Sequence, residues 1–563
     1  MKTFQKLKYI LIVLIGSNAI NLYCQHINPE NPGEKVSLVT DRNLYIAGEN
    51  IKFAAFIQDK ERTDDQNNSK VLYCEVITQE GVKICENKYL VNKNLSNGEL
   101  LIPDDVSTGI YFVRSYTRYM RNWGPSVYHY ILIKIVNAKR SEIQQKENID
   151  ELTEFVPGKS RISASSEPFE LTLDQERYKP GDTVNLRVGV VKESDSPFTM
   201  ASISVVPDYT VSTADIALPS NGNIANGFFF QRESQGPVIS GKLVDNSSGT
   251  PAAGSRVNLS VIGIHKDFMA QKTDSSGRFI FSMPDYYGCH DLFLCTEDTL
   301  HSRINLLVDN DFCSAPVKLP SYRFSLSPDE RNIALQMAVN HQVEAYFKDE
   351  AKTSGASEKS EEVSFYGKPS DIIYIDDYVH LPNLEEYFNS LPSLVRVRKH
   401  SGKKYFKLIG TQSGLNDYDP LVMVDMVAIG NPAKVLAIPP SGILRIEVVN
   451  SLYVKGDQKY GGIINIITKK GDFGGIDLPS SGMFVNYCFL SRNIAGTIPP
   501  IGQNMPDARN TLYWEPNIEP LRGKDSRLSF TTSDTPGKYK VVLTWINPKG
   551  EINRQISEFE VRK

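Results

Sequence analysis

Short segments in which apolar and polar residues alternate constrain the fold of this chain more than any other feature. From Lys35 to Ile57 the sequence reads KVSLVTDRNLYIAGENIKFAAFI, and a break at Ala47-Gly48-Glu49 divides the alternation. Residues two apart share one face of a β-strand, while glycine and small polar residues favour turns. The pattern therefore predicts short antiparallel strands and a mainly β fold class.

The same phrase occurs a second time along the chain. Leu171 to Val190 reads LTLDQERYKPGDTVNLRVGV, and Tyr178 and Gly181 stand there at the spacing that Tyr45 and Gly48 have in the first phrase. We expect the tyrosine to pack over the turn and the glycine to supply an unusual backbone angle. The repeat predicts two copies of one sandwich domain.

Further patterns complete the predicted organisation. Alternating segments between Ile239 and Val308, with a turn at Asp274–Gly277, predict a third small sandwich. From Arg331 to Phe347 the apolar residues recur every three or four positions, which predicts a helix. The charged stretch Lys348–Glu362 is typical of a mobile loop.

The region from Tyr366 to Gly475 mixes strands and short helices. A helix is predicted over Leu381–Leu394, with Pro382 at its start and Pro392 ending it. Strands are predicted at Leu421–Val427, Ile443–Val449 and Ile463–Thr468.

Length and charge set broad limits. The chain has 563 residues, more than one hydrophobic core supports, so roughly three to five domains are expected. Its 62 Lys and Arg against 66 Asp and Glu give a formal net charge of −4. This balance points neither to nucleic acid nor to an anionic membrane surface as a partner.

Residues 1–24 predict a secretory signal peptide. Lys2, Lys6 and Lys8 form a positive start, and the apolar stretch Tyr9–Ile15 that follows is too short to span a bilayer. No later segment reaches about 18 uninterrupted apolar residues. We therefore expect the mature chain to be soluble in, or peripheral to, an extracytoplasmic compartment.

Two cleavage positions fit the signal peptide. Cleavage after Ala19 leaves small residues at the recognised positions, and cleavage after Cys24 would make Gln25 the first residue. Cys24 is also a candidate for lipid modification, but the bulky Tyr23 before it disfavours lipoprotein anchoring.

Two of the seven cysteines flank a predicted hairpin turn. Cys74 and Cys85 stand on either side of Glu80-Gly81. In an oxidising compartment they either form a disulfide or remain two free buried thiols, because the strand register is not encoded locally.

Three groups of residues carry metal-ligating or acidic side chains. Cys289, His290 and Cys295 are candidate metal ligands, but GCHDLFLC is more typical of a core strand. Asp309-Asn310-Asp311 is a candidate calcium site that lacks the further ligands of a calcium loop, which favours a solvated turn. Adjacent carboxylates at Asp376-Asp377 would point to opposite faces of a strand, which favours a turn or a helix cap.

A dense cluster of tyrosines and arginines is the candidate binding surface. Such residues are enriched at protein interfaces and can stack on sugars, although core tyrosines of a sandwich give the same pattern. The candidate residues are Tyr111, Arg114, Tyr116, Arg118, Tyr119 and Trp123.

Several of these segments resemble known families. The phrases KVSLVTDRNLYIAGENIKF and ELTLDQERYKPGDTVNL are similar to the opening strands of macroglobulin-like domains, and Arg509–Trp514 with Thr531–Tyr539 also resembles a macroglobulin-type segment. Thr250-Pro251 and the turn Thr273–Phe279 resemble the carboxypeptidase regulatory-like sandwich. Macroglobulins that trap proteases use a Cys-Gly-Glu-Gln thioester, and this tetrad does not occur in the sequence.

The region from Tyr366 resembles the plug domain of TonB-dependent outer-membrane receptors. The match is carried by Pro420–Asp425 (PLVMVD), Ile443–Val448 (ILRIEV) and Tyr460–Thr468 (YGGIINIIT), and the usual Asp-Gly of such plugs is Asp425-Met426 here. After Gly475 there remain 88 residues (563 − 475), too few for the many strands of a receptor barrel. The resemblance therefore implies a plug-like domain that stands alone or docks on a barrel of another chain.

The expected fold is mainly β, with serial immunoglobulin-like or macroglobulin-like β-sandwiches and an α+β plug-like domain. The expected segments are a signal peptide (1–24), a macroglobulin-like sandwich (25–140), a linker (141–166), a second macroglobulin-like sandwich (167–236), a carboxypeptidase regulatory-like sandwich (237–316), a helix with a mobile linker (317–364), the plug-like domain (365–476) and a C-terminal macroglobulin-like segment (477–563).

Together these features predict an exported, non-catalytic binding and scaffold protein on the periplasmic side of the outer membrane. Its expected partner is an outer-membrane barrel or another envelope protein, and we expect no nucleic acid, cofactor or metal. The alternative is a periplasmic hydrolase or carbohydrate-processing enzyme, because loops at the ends of sandwiches can assemble a site between domains without a linear motif.

Overall fold

The structure of the protein is a computed structural model. It describes residues 33–59, 68–144, 153–154, 169–190, 199–212, 215–216, 230–263, 267–296, 304–351, 364–390, 394–410, 412–456, 458–479, 481–493, 506–518, 526–547 and 550–563. The predicted signal peptide, Cys24 and most of the predicted linker 141–166 lie outside these residues. No helix among them is long and apolar enough to cross a membrane.

The described residues form two compact units. Unit 1 contains the chain up to Ser234, Ala315–Phe347 and Asn493–Lys563, and unit 2 contains Gln235–Ser314 and Lys348–Arg492. Strands dominate both units, so the mainly β fold class predicted from the sequence is confirmed. Strands and helices are numbered below along the whole chain.

Unit 1 consists of strands and one long helix. Its first strands are β1 (Glu34–Thr40), β2 (Leu44–Ile46), β3 (Asn50–Asp59), β4 (Val71–Thr78), β5 (Lys83–Leu90), β6 (Leu95–Leu101), β7 (Gly109–Tyr116), β8 (His129–Val136) and β9 (Thr153–Glu154). The others are β10 (Phe169–Leu173), β11 (Arg177–Tyr178), β12 (Thr183–Val190), β13 (Met200–Pro207), β14 (Asp215–Ile216), β21 (Tyr322–Arg323), β33 (Tyr513–Glu515), β34 (Ser526–Thr531), β35 (Gly537–Ile546) and β36 (Ile552–Val561). The helix predicted over Arg331–Phe347 is confirmed as α1 (Pro328–Ala351).

Unit 2 contains shorter strands and two short α-helices. Its strands are β15 (Val238–Asp245), β16 (Arg256–Ile262), β17 (Asp267–Lys272), β18 (Arg278–Ser282), β19 (Cys289–Thr296), β20 (Ile304–Val308), β22 (Asp371–Tyr374), β23 (Val395–His400), β24 (Lys403–Leu408), β25 (Leu421–Val424), β26 (Val427–Ala428), β27 (Ile443–Val449), β28 (Tyr453–Lys455), β29 (Gln458–Tyr460), β30 (Ile463–Thr468), β31 (Met483–Cys488) and β32 (Leu490–Ser491). Its α-helices are α2 (Leu384–Ser390), inside the helix predicted over Leu381–Leu394, and α3 (Pro432–Leu436).

Two sandwiches of unit 1 share one topology. In the first, β1, β3 and β6 form one antiparallel sheet, and β8, β7, β4 and β5 form the other, with β2 parallel to β8. In the second, the order β10-β12-β34 repeats the first sheet, and β36-β35-β13-β33 with β11 parallel to β36 repeats the other. Residues from the predicted segments 167–236 and 477–563 therefore share two sheets, and the chain between β13 and β33 is an insertion into the second sandwich.

A buried tyrosine closes the turn of the first copy. The Tyr45 hydroxyl donates to Asp41 Oδ1 at 2.7 Å, and the same oxygen accepts the Lys52 amide at 3.1 Å. Gly48 has a φ of 91°, which disfavours any side chain. The aspartate thus joins β1, β2 and β3 at one point.

The second copy repeats these bonds. The Tyr178 hydroxyl donates to Asp174 Oδ1 at 2.6 Å, and the Asn185 amide donates to that oxygen at 3.0 Å. Gly181 has a φ of 81°. The sequence repeat is therefore a repeat of one hydrogen-bonded turn.

Apolar contacts join the two sandwiches. Val39 and Ala54 of the first sandwich and Met200, Trp514 and Ile546 of the second form one buried cluster. Full burial of a large apolar side chain stabilises the folded state by about 2 kcal/mol. Unit 1 is therefore held together by a core between its sandwiches as well as within them.

In unit 2 a small sandwich has the sheets β18-β15-β20 and β17-β16-β19-β31. A disulfide joins Cys289 of β19 to Cys488 of β31, which stand opposite each other in the register. Cys74 and Cys85 in unit 1 are both free, because β4 and β5 pair Cys74 with Asn87 instead.

The region of unit 2 for which the sequence predicts a plug-like domain, named the plug-like region below, contains a five-stranded sheet in the order β22-β27-β30-β25-β26. One face packs on α2 and α3 in an apolar core that includes Ile446, Ile464 and Phe388. The strand predicted at Leu421–Val427 is interrupted, because Asp425 and Met426 adopt φ values of 45° and 72° and turn the chain between β25 and β26. The other two predicted strands, now β27 and β30, are confirmed.

Candidate interaction sites

The predicted tyrosine and arginine cluster lies inside unit 1. Its six side chains are Tyr111, Arg114, Tyr116, Arg118, Tyr119 and Trp123, and each is at most 6% exposed. They lie on β7, on the short 3-10 helix Tyr119–Trp123 that follows it, and, for Arg118, at the N-cap of that helix. The expected exposed interface is thus replaced by buried packing, the alternative that the sequence pattern also allowed.

An ion pair explains how an arginine is buried there. Arg114 donates from Nε to Glu75 Oε2 at 2.6 Å and from Nη2 to Glu75 Oε1 at 2.9 Å. Arg114 and Glu75 are opposite each other on β7 and β4. Such a two-bond pair satisfies both charges where they are buried.

A short segment covers the cluster. We name residues Phe230–Ser234 the strap. Phe230 lies 4.0 Å from the Arg121 guanidinium by its ring centre, and its amide and carbonyl both bond the side chain of Asn122, at 3.0 and 2.8 Å. The strap thereby replaces solvent over these side chains.

Charged residues fasten the strap further. Arg232 pairs with Asp59 at 2.7 Å and with Glu34 at 3.4 Å, and Glu233 accepts the Tyr73 hydroxyl at 3.0 Å. Burial raises the pKa of Glu34, while the hydroxyl of Thr117 and the charge of Arg232 oppose this effect. Local patterns do not predict these contacts, since their partners are up to 198 positions away in the chain (232 − 34).

A second buried network joins the two sandwiches to α1. Arg42 Nη2 lies 2.7 Å from Glu49 Oε1, and the Asn510 amide donates to that same oxygen at 2.7 Å. Asn510 also donates to the Met337 carbonyl of α1 at 3.0 Å and accepts from Asn340 at 2.9 Å. Asn510, from the Arg509–Trp514 segment, therefore links the first sandwich, the second sandwich and α1.

The acidic side chains of this network favour the charged form of Arg42. Burial alone would lower the pKa of Arg42, but the carboxylates of Glu49 and Asp41 raise it above its ordinary value. Thr511 donates to Asp41 Oδ2 at 2.6 Å and accepts a bond from Arg42. Every side chain named in this network bonds to another group of the protein. The network therefore holds the elements of unit 1 in place.

Unit 1 also has a concave pocket of about 510 Å³. Its lining comes from both sandwiches and the start of α1, and comprises Asn43, Leu44, Leu132, Lys134, Tyr209, Thr210, Val211, Ser212, Ser325, Leu326, Ser327, Glu330 and Lys540. Lys134 pairs with Glu330 at 2.7 Å, and Lys540 pairs with Asp208 at 2.5 Å. The charged side chains of the lining are thus engaged in ion pairs.

The plug-like sheet ends in an edge strand with exposed apolar residues. Strand β22 pairs with β27, and no other strand of the described chain pairs with it. Ile372 and Tyr374 point to the same face, and both are exposed. Tyr378 and Val379 follow the strand, and Val379 is 83% exposed.

Three of the remaining candidate residues, Cys289, Asp309 and Asp376, have structural partners. Cys289 is in the disulfide, and Asp309 bonds the Ser240 hydroxyl and pairs with Arg278. Asp376 pairs with Lys469 at 2.9 Å. Within the described part of the chain, no three His, Cys, Asp or Glu residues are grouped closely enough to hold a metal ion.

No protein-family model and no curated protein matches the sequence. Solved structures similar to this chain include trypsin-activated α2-macroglobulin from Escherichia coli, at 10% identity and a TM-score of 0.23 over 94% of this chain and 42% of that one. Salmonella α2-macroglobulin reacted with methylamine gives 10% identity and a TM-score of 0.23 over 94% and 39%. Dimeric latent PorU from Porphyromonas gingivalis gives 11% and 0.16 over 50% and 34%. The chain thus spans less than half the length of each of these solved chains.

Proposed function

We propose that this chain is an exported, non-catalytic binding and scaffold protein of a Gram-negative envelope. In this proposal unit 1 is the rigid part, and the plug-like sheet of unit 2 docks on an outer-membrane barrel or transport protein of another chain. The observation that carries the proposal is the open edge of β22, with Ile372 and Tyr374 exposed on it.

An unprotected edge strand is unusual in a protein that has nothing to bind there. Natural edges are blunted by lysine, proline or a bulge, because a free row of amides and carbonyls pairs with other chains. Strand β22 reads Asp-Ile-Ile-Tyr and has neither lysine nor proline. An extended strand of a partner can add to this edge, and Ile372 and Tyr374 would then pack against its side chains.

The scaffold part of the proposal is supported by unit 1. The contacts of Asn510 with Glu49 and with Met337 are all buried, and an apolar core lies between the sandwiches. Buried hydrogen-bonded networks favour one arrangement of their elements over others. A body of this kind is suited to holding a binding module in place.

The hydrolase alternative receives less support from the pocket of unit 1. Hydrolysis of a glycosidic bond generally uses two carboxylates that face each other across the substrate. Glu330 is the one carboxylate in the lining, and it is bound to Lys134 and to the Ser327 amide at 2.8 Å. The lining of the pocket therefore lacks the second carboxylate that this chemistry needs.

Site-specific photocrosslinking tests the proposal in intact cells. A photoreactive residue at Ile372 or Tyr374 is expected to give an adduct with a β-barrel protein, identified by mass spectrometry. The matched control is Tyr346, which is 67% exposed on α1 in unit 1 and should give no such adduct. The additional substitution Ile372→Lys, which protects an edge, is expected to abolish the Tyr374 adduct. Adducts with this chain alone, or equal adducts at all three positions, would contradict the proposal.

A further inference from the structure

A β-hairpin in unit 2 concentrates positive charge. We name β23, β24 and the residues between them the basic arm. It spans Val395–Leu408, reads VRVRKHSGKKYFKL, and contains six Lys or Arg and no Asp or Glu. The whole chain has a formal net charge of −4, so this local excess is hidden in the overall balance.

A tight turn joins the two strands of the basic arm. Ser401 and Gly402 join its strands with φ values of 47° and 81°. Two consecutive positive φ angles make the hairpin turn whose twist matches that of the flanking strands. The turn therefore fixes which backbone positions stand opposite each other in the arm.

The root of the arm is anchored in the core of the plug-like region. Its four apolar residues, Val395, Val397, Phe406 and Leu408, are all buried in this core. Arg396 Nη1 donates to the Phe388 carbonyl at 3.1 Å, near the end of α2. From Arg398 to Tyr405 every residue is exposed, so the outer half of the arm extends beyond the core.

Like charges face each other across the strands of the arm. Arg396 stands opposite Lys407, and Lys399 stands opposite Lys404. Directly opposed like charges destabilise an antiparallel pair. Of the cations in the exposed outer half, Lys404 pairs with Glu385, while Arg398, Lys399 and Lys403 have no acidic partner among the described residues. Such an arrangement costs stability and is expected where an external anion neutralises it.

We infer that the basic arm binds an anionic membrane surface through the phosphates of lipid headgroups. A small anion is usually held in a concave site, whereas the outer half of this arm is exposed on all eight residues. Both faces carry cations, with Arg398 and Lys403 on one and Lys399 and Lys404 on the other. This distribution fits a broad field of negative charge. Tyr405, opposite Arg398, is a residue type that favours the membrane–water boundary.

Vesicle sedimentation of the full chain tests this inference, which does not depend on docking at β22. The arm variant is Arg398→Gln, Lys399→Gln and Lys403→Gln. The control variant is Lys242→Gln, Lys272→Gln and Arg527→Gln, at exposed positions outside the arm. Each variant has a net charge of −7 (−4 − 3), so only the position of the lost charges differs.

With phosphatidylcholine vesicles that contain about one third phosphatidylglycerol, the arm variant is expected to bind on the order of 100-fold more weakly than the control variant. The difference should shrink as salt is raised to about 0.5 M. Equal binding of the two variants would overturn the inference. Loss of binding to immobilised polyglutamate by the arm variant, with vesicle binding equal in both, would overturn it in favour of an acidic protein partner.

Discussion

Arg114 and Glu75 form a two-bond ion pair across neighbouring strands in the interior of unit 1, with N–O distances of 2.6 and 2.9 Å. Both side chains are at most 3% exposed. The arginine predicted to lie on a binding surface is therefore part of what holds that sandwich together, and its role can be measured as stability.

Substitution of Arg114 by Met is expected to lower the free energy of unfolding of unit 1 by about 3–5 kcal/mol, because Glu75 is left buried without a partner. Urea denaturation followed by Trp fluorescence measures this. The double substitution Arg114→Met with Glu75→Leu should recover most of the loss, since it removes both charges. A loss below about 0.5 kcal/mol for the single variant would show that the pair is not buried.

The disulfide of unit 2 is expected to stabilise that unit. Cys289 and Cys488 are 199 positions apart, so the bond restricts a long loop of the unfolded chain. Cys289→Ser with Cys488→Ser should lower the free energy of unfolding of unit 2 by about 2–5 kcal/mol, measured by calorimetry without and with reductant. Reductant should lower the transition of the parent chain toward that of the variant and leave the variant unchanged. If the parent chain and the variant unfold at the same temperature without reductant, the disulfide does not form.

The thiol of Cys85 is expected to react slowly in the folded chain. Burial raises its pKa from 9.0 to about 12, so at pH 8.5 the thiolate fraction is on the order of 1000-fold lower than in the unfolded chain. Iodoacetamide labelling with and without urea, read by peptide mass spectrometry, measures the ratio. Because the folded pKa is raised, the stability that Cys85 contributes is fully present below about pH 9 and is lost as the pH rises toward 12. Equal labelling rates in both states would contradict the burial.

Met426 occupies a turn position whose left-handed backbone conformation favours glycine. Its φ of 72° costs a side chain roughly 1 kcal/mol, but the side chain is 2% exposed in an apolar cluster with Phe268 and Met423. Burial of a methionine contributes about 2–3 kcal/mol. Met426→Gly is therefore expected to lower the free energy of unfolding of unit 2 by about 1–2 kcal/mol, measured by thermal denaturation. A stabilised variant would mean that backbone strain outweighs packing.

Local chemistry made some features predictable. The spacing of Tyr45 and Gly48, repeated at Tyr178 and Gly181, is a turn signal within ten residues, and both turns form the same bonds to an aspartate. The helix α1 has a local period and was predicted for the same reason. The basic arm also has a local signal, two alternating segments around Ser401-Gly402, but its positive charge is offset in the near-neutral balance of the whole chain.

Other features depend on partners far away in the chain. The cluster around Tyr116 and Arg118 gives the same pattern whether it is exposed or covered, and the strap that covers it starts at Phe230. Asn510 has no sequence signature that identifies Glu49 and Met337 as its partners. Pairing over such distances is set by tertiary packing, which single-sequence patterns do not encode.

The insertion between β13 and β33 has a consequence for synthesis. A chain leaves the ribosome from its N-terminus, and domains generally fold as they become complete. The second sandwich receives its last four strands only when residues 513–561 have emerged, long after Phe169–Pro207. Until then, strands β10, β12 and β13 have unpaired edges. Removal of residues 513–561 would therefore prevent the folding of a domain whose first strand begins at Phe169.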